Sequence, residues 1–230
     1  RNLYQRYEPI DDAEYMPQGF GASQVANLIF ENCTAHNSSG RGFWYLSAAW
    51  NEWEGEGAQF ESDTTYYINC DAYNLCDSLS LDPGNAADGF KCTNYYRGVI
   101  NFTGCRAWNY ADDGFDPGGS GRRVLNNCWA IASGKYTSIG IEGNGFKTGG
   151  IGSPQRGHNP DDYVWVEVKN CLAAYCEGTG FYNNLEIDLQ NNARYYNNTA
   201  FKCGRSYSDI AGTYFDTIFT IVKNCIAYQS

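Results

Sequence analysis

The chain has 230 residues, with 16 basic and 26 acidic side chains and a net charge of −10. That length is one domain of ordinary size, so residues 1–230 are read as a single domain, and the acidity argues against a nucleic-acid partner. No stretch approaches the apolar length of a membrane span.

Taken in chain order, two short elements recur. Asn-Cys-x-Ala begins at Asn32-Cys33-Thr34-Ala35 and returns at Asn69-Cys70-Asp71-Ala72, Asn127-Cys128-Trp129-Ala130, Asn170-Cys171-Leu172-Ala173 and Asn224-Cys225-Ile226-Ala227. Degenerate copies are read at Gly104-Cys105-Arg106-Ala107 and Asn191-Asn192-Ala193. Between them run Ala87-Asp88-Gly89-Phe90-Lys91, Asp112-Asp113-Gly114-Phe115-Asp116, Gly143-Asn144-Gly145-Phe146-Lys147 and, more faintly, Gly178-Thr179-Gly180-Phe181. The tightest intervals are 20 to 25 residues, as from Phe90 to Phe115, with longer ones reading as the same coil plus a loop. Two insertions interrupt the series: residues 47–66, acidic and aromatic around Trp50, Glu52, Trp53 and Glu54, and residues 150–162, which follow Lys147. Loops leaving a rigid scaffold are where ligand contacts gather.

A period in this range means a solenoid. Its segments are short and alternating, as in Val164-Trp165-Val166-Glu167-Val168 and Ile218-Phe219-Thr220-Ile221-Val222, and Asn/Gly/Asp turn clusters separate them. No segment has a sustained amphipathic helical period. The spacing therefore predicts an all-β parallel β-helix of about seven coils with loop insertions. The chain opens on Arg1 without a start Met, stops inside a repeat at Ser230, and shows no capping helix at either end. Truncation at both ends of a longer solenoid is the expectation, since terminal coils need cover.

The ten cysteines divide along the same lines. Five head an Asn-Cys repeat and Cys105 a degenerate one, which predicts an inward column of small apolar thiols. An even count in an exported protein also allows disulfides. The separations Cys70/Cys76 and Cys171/Cys176 miss zinc-ligand spacing. Buried free thiols are the expectation. The Asn before each Cys should form a side-chain ladder at the coil corner.

If the Phe residues share a register, Asp88, Asp113 and Asn144 form one column and Lys91, Asp116 and Lys147 another. Asp88, Asp112, Asp113 and Asp116 then bring four carboxylates from two coils together, which is unfavourable unless a cation sits among them. Oxygen donors in this number suit calcium, which takes about six to eight. Lys147 follows an inward Phe and should face out beside Asp116, where Gly143, Gly145, Gly149 and Gly150 leave room for a ligand. An amine beside a cation and partly desolvated can serve as a base. Phe-Lys also occurs at Phe90-Lys91 and Phe201-Lys202, so Lys91 is a competitor for that role.

The run from Ala87-Asp88-Gly89-Phe90 through Gly104-Cys105-Arg106-Ala107-Trp108, Asp112-Asp113-Gly114-Phe115-Asp116 and Asn127-Cys128-Trp129-Ala130 to Gly143-Asn144-Gly145-Phe146-Lys147-Thr148-Gly149-Gly150 closely resembles the family-nine polysaccharide lyases. The coil pattern matches over about residues 26–203 and is motif-specific between 86 and 150. The resemblance implies a right-handed parallel β-helix that cleaves pectic polymers, polygalacturonate or rhamnogalacturonan I, by β-elimination. It implies Asp88, Asp112, Asp113 and Asp116 as Ca²⁺ ligands and Lys147 as the Brønsted base. Lys91, Arg106, Arg122 and Arg156 are candidates for binding substrate carboxylates. The expected partner is an acidic uronate polysaccharide, with no nucleic acid and no membrane. The expected protein is a monomer, secreted, periplasmic or at the cell surface. A β-helix glycoside hydrolase using paired carboxylates, or a non-catalytic, calcium-braced binding or adhesion β-helix, would share the scaffold.

Overall fold

The computed structural model describes residues 17–47, 63–78, 80, 83–94, 98–119, 121–131, 143–149, 163–184, 190–208 and 219–229. Among the described residues the regular elements are strands, in three parallel sheets of seven. The first sheet holds β1 (Gln18–Val25), β4 (Arg41–Ser47), β7 (Phe90–Asn94), β10 (Phe115–Gly119), β13 (Phe146–Lys147), β16 (Thr179–Tyr182) and β19 (Arg205–Ser208). The second holds β2 (Ile29–Glu31), β5 (Thr64–Ile68), β8 (Val99–Thr103), β11 (Gly121–Asn126), β14 (Tyr163–Lys169), β17 (Gln190–Tyr196) and β20 (Phe219–Lys223). The third holds β3 (Thr34–Ser38), β6 (Asp71–Leu75), β9 (Arg106–Tyr110), β12 (Trp129–Ile131), β15 (Leu172–Ala174), β18 (Thr199–Phe201) and β21 (Ile226–Tyr228). Each coil contributes one strand to each sheet. The result is a right-handed parallel β-helix of about seven coils, as the repeat predicts.

The Gly-Phe and Asn-Cys-x-Ala elements turn out to be two sides of one contact. A Cβ placed on Gly89 would lie 2.5 Å from the Gly114 carbonyl oxygen and 2.9 Å from the Ala107 Cβ, so only glycine fits there and only a small residue fits opposite. The following Phe then points inward. Phe20, Phe43, Phe90, Phe115, Phe146, Phe181 and Tyr207 form one continuous stack, with centroids 4.8–5.0 Å apart and planes within 15°. A second stack, Phe30, Tyr67 and Phe102, meets it edge-on. Both geometries suit the ring quadrupole.

The asparagines preceding Cys33, Cys70, Cys128, Cys171 and Cys225 all have φ between 52° and 55°. Asparagine tolerates this left-handed turn, which is why Gly104, at φ 68°, can replace it. The same marker corrects one reading of the repeat. Ala193 pairs with Val166 in the second sheet, so Asn191-Asn192-Ala193 is strand. The true copy is Asn197-Asn198-Thr199-Ala200, with Asn197 at φ 54° and Ala200 opposite Ala173. Asn198 occupies the cysteine position, fully buried, and donates to the Val168 carbonyl at 2.8 Å while accepting from Cys171 N at 2.9 Å. An amide in this column needs both bonds to be tolerated. Phe201-Lys202 likewise falls outside the Gly-Phe register, on the third sheet with Lys202 at φ 50°.

All ten cysteines are free, with Cys70, Cys105, Cys128 and Cys171 buried and Cys33 and Cys225 partly so. The asparagine ladder is present where Asn197 donates to Asn170 at 3.3 Å. A second one, Asn109 to Asn74 to Asn37 at 2.5 and 3.0 Å, runs along the third sheet and is not evident in the repeat. The insertion segments 48–62 and 150–162 lie outside the described residues.

Two outcomes follow from this packing. Phe115→Ala should cost about 3–5 kcal/mol in denaturant titration, because rings above and below cannot close the gap. Thiol titration of denatured protein without reductant should recover all ten cysteines, which the structure leaves unbridged.

Candidate active site

Two outward columns of the first sheet carry the chemistry. The residue before each Gly-Phe pair reads Gln18, Arg41, Asp88, Asp113, Asn144 and Thr179 along successive coils. The residue after it reads Gly21, Trp44, Lys91, Asp116, Lys147 and Tyr182. The registers are those the Phe alignment predicts. They bring single carboxylate oxygens of Asp88, Asp113 and Asp116 within 4.8 Å of one another. Asp112 is buried beside them but outside that trio.

Each carboxylate has a different set of neighbours. Asp113 accepts from the Asn144 side-chain amide at 2.9 Å and its backbone N at 3.2 Å, and its other oxygen faces the Lys147 amine at 3.1 Å. Asn144 in turn accepts from Thr179 N at 2.8 Å, which fixes its amide orientation. Asp116 is paired with Lys91, and Asp88 faces Arg41 Nε at 3.7 Å.

Those neighbours explain opposite titration behaviour. Burial pushes the Asp113 carboxyl up to about 7, with Asp116 and Asp88 adding to it against Lys147. Burial, then the charges of Asp113 and Asp88, also hold Asp112 well above the carboxylate range. Burial raises Asp88 as well, though Lys91 and Arg41 oppose it. Asp116 goes the other way: burial works against its charge, but Lys91 and Lys147 outweigh that and hold it low. Burial favours the neutral form of Lys147, yet Asp113, Asp116 and Asp112 prevail and keep it an ammonium.

The four candidate substrate-binding cations fare differently. Lys91 is in the site, bonded to Asp116. Arg106 is not: it stands on β9 in the third sheet, its guanidinium paired doubly with Asp71 at 2.6 and 2.7 Å. Arg122 lies exposed on β11, its guanidinium 5.8 Å from the Trp165 ring. Arg156 and Gly150 lie outside the described residues. Closeness along the chain favours every arginine near the motif equally, whereas the fold puts Arg106 and Arg122 on different sheets.

Two further cations carry little or no signal in the sequence. Arg41 precedes Gly42-Phe43, so its equivalence to Asp88 is visible once that Gly-Phe pair is counted with the others. Arg123 carries no signal in its spacing. It projects inward from β11 and is fully enclosed, its guanidinium donating to the carbonyls of Thr148, at 3.0 Å, and Gly119.

The trio fits a divalent cation. All three donors are hard carboxylate oxygens, and the buried Asp88 Oδ1 has no hydrogen-bond partner among the described residues. Such an orphaned acceptor is costly unless something charged meets it.

Comparison with known proteins places the fold in a family. The chain belongs to the family described as Pel9A-like, right handed beta helix region, whose model matches residues 9–212. Pectate lyase L of Dickeya chrysanthemi is 41% identical over 88 residues, covering 36% of this chain and 20% of its own. Pectate lyase PEL9 of Emericella nidulans is 27% identical over 240 residues, covering 88% of this chain and 53% of its own. The crystal structure of pectate lyase Pel9A superposes with a TM-score of 0.60 at 24% identity, over 92% of this chain and 49% of that one, a likeness of fold. A rhamnogalacturonan lyase superposes equally well, TM-score 0.60 at 28% identity, over 80% and 43%. The matched stretches thus span a fifth to about half of the length of these relatives.

The raised Asp113 carboxyl has a measurable sign. Its folded pKa of about 7 exceeds the ordinary 3.8, so the folded state binds a proton that the unfolded state lacks between those values. Metal-free stability should therefore rise as pH falls from 8 towards 5. Asp113→Asn should reduce that rise in denaturant titrations, with the raised Asp112 and Asp88 carboxyls supplying the remainder, and carbon NMR of the wild type should show the Asp113 carboxyl titrating near 7.

Proposed function

We propose that this chain is the β-helix of a calcium-dependent polysaccharide lyase, exported to meet uronate-containing pectic polymers, with Lys147 as the base. The supporting observation is the Asp88–Asp113–Asp116 trio with the Lys147 amine against it. Asp88, Asp113 and Asp116 would hold the ion, with Asp112 beside them. Bound calcium would supply Lewis-acid charge towards the uronate carboxylate and so acidify the proton on C5.

In the structure Lys147 is an acid rather than a base, because the surrounding carboxylates keep it protonated. The base role requires those carboxylates to be balanced by charge other than its own, which the fit for a divalent cation meets. A neutral amine at Lys147 would take the C5 proton. The C5–H electrons form the double bond to C4, and the glycosidic oxygen leaves with its electron pair and is protonated by solvent. Lys91 stays paired with Asp116 and presents the remaining positive charge of the column, suited to a further substrate carboxylate. Trp44 and Tyr182 flank the charged residues of the column with aromatic faces on which sugar rings can lie. Both pectic backbones remain within this reading, polygalacturonate and rhamnogalacturonan I.

Purified protein with added calcium should release unsaturated uronides from one of these polymers, followed by ultraviolet absorbance of the conjugated double bond. Reducing ends without that absorbance would mean hydrolysis, and no products would mean a binding module. Lys147→Ala should lower kcat by about 10²–10⁴-fold, the usual worth of a general base, with calcium affinity little changed. Lys91→Ala should raise KM more than it lowers kcat. The reverse pattern would make Lys91 the base.

A further inference from the structure

Arg123 is the largest side chain wholly enclosed among the described residues, and it stands between the aliphatic Ile100 and Val166 of the neighbouring coils in the second sheet. A buried guanidinium is costly. Burial pulls it down to about 10, and its Nε has no hydrogen-bond partner among the described residues. Something must recompense that cost, and its two contacts show where to look.

The guanidinium donates to the carbonyls of Gly119 and Thr148. Gly119 ends β10, the strand of Asp116, and Thr148 directly follows β13, the strand of Lys147. These two strands are poorly tied. The ladder between β7 and β10 runs through five pairs, from Phe115–Phe90 to Gly119–Asn94. The ladder between β10 and β13 holds one, Phe115–Phe146. Phe115 N donates to the Gly145 carbonyl at 3.0 Å, but the next donor in that phase would be residue 117, and Pro117 has no N–H. Just beyond this gap the Arg123 fork spans both strands from inside. Thr148 is held from a second direction too, its hydroxyl 2.9 Å from the buried Tyr195 hydroxyl.

We propose that Arg123 is a positioning residue: its guanidinium staples the strand of Asp116 to the strand of Lys147 where Pro117 interrupts their ladder. It lies on the inner side of the sheet and touches no substrate. Its work is to hold the Lys147 amine at a fixed spacing from the carboxylates on the outer side. A planar fork bonding two carbonyls at once does this, and a single ammonium does not.

The kinetic consequence rests on the lyase reading above, whereas the geometric one stands without it. Hydrogen exchange and steady-state kinetics on Arg123→Met and Arg123→Lys, each with calcium titration, test the two separately. In Arg123→Met, amide exchange should quicken at residues 143–149 and 115–119 but not in β3 and β6 on the far sheet. Its kcat should fall by about a hundredfold with KM and calcium affinity within about threefold, as a misplaced group predicts. Arg123→Lys should recover less than about a tenth of the lost rate, and it carries the same readouts should methionine prevent folding. Adding Pro117→Ala to Arg123→Met restores a backbone donor and should recover about tenfold in kcat, a coupling that unrelated destabilisation would not give. Unchanged exchange at 143–149, a lysine variant equal to wild type, or additive effects of the Pro117 and Arg123 changes would overturn the staple. Wild-type protein without calcium-dependent elimination would overturn the lyase reading instead, and the exchange result would still decide the staple.

Discussion

A flat ring lying on a flat ring at 4.8–5.0 Å, repeated from Phe20 to Tyr207, sets the rise of the coil and the register of everything attached to it. The spacing equals that of neighbouring strands, so ladder and stack reinforce each other. A slip by one residue would turn each Phe to solvent and bring Lys91, Asp116 and Lys147 into the interior. Register is therefore nearly all-or-none, and the core decides which polar residues meet outside. Residues 25 positions apart in sequence become neighbours without any dedicated contact to bring them together.

Fixed register is also why the site is electrostatically tense. Along the second column the charges alternate, Lys91, Asp116, Lys147, and Asp116 is held below the ordinary carboxylate range despite its burial. Along the first, Asp88 and Asp113 stack like on like, and both are raised. The same side chain, one coil and one column apart, titrates in opposite directions because Lys91 and Lys147 outweigh burial at Asp116 and burial prevails at Asp88. The lysines relieve part of this tension, and the divalent cation proposed for the site would relieve the rest.

What is legible in the sequence is what repeats. Gly89-Phe90, Gly114-Phe115 and Gly145-Phe146 carry the register, and the columns of Asp88, Asp113 and Asn144 and of Lys91, Asp116 and Lys147 follow from it alone. What repetition does not encode is easily misread or missed. Asn191-Asn192-Ala193 imitates the corner motif by composition, while the real corner has exchanged its cysteine for Asn198, whose buried amide depends on partners on another coil. Arg106 adjoins the motif in sequence yet sits on a different sheet, committed to Asp71. Arg123 departs from the repeat altogether. Its position is an ordinary core position, and only three-dimensional structure shows that the core there faces a gap in the ladder.

The third sheet, which bears none of the proposed chemistry, still reaches the site through the cross-section of the coil. A Cβ on Gly145 would come within 3.0 Å of the Ala173 Cβ and 2.7 Å of the Gly180 carbonyl oxygen. The backbone two residues before Lys147 is thus pressed against the third sheet with no slack. That sheet is itself braced on its outer side by the Asn37–Asn74–Asn109 ladder and by the stack of His36, Tyr73 and Trp108 at 5.1 and 4.3 Å. Close packing transmits displacement rather than absorbing it. A larger residue at Ala173 would therefore press on the backbone that leads into Lys147, through a contact that requires glycine on one side and a small residue on the other.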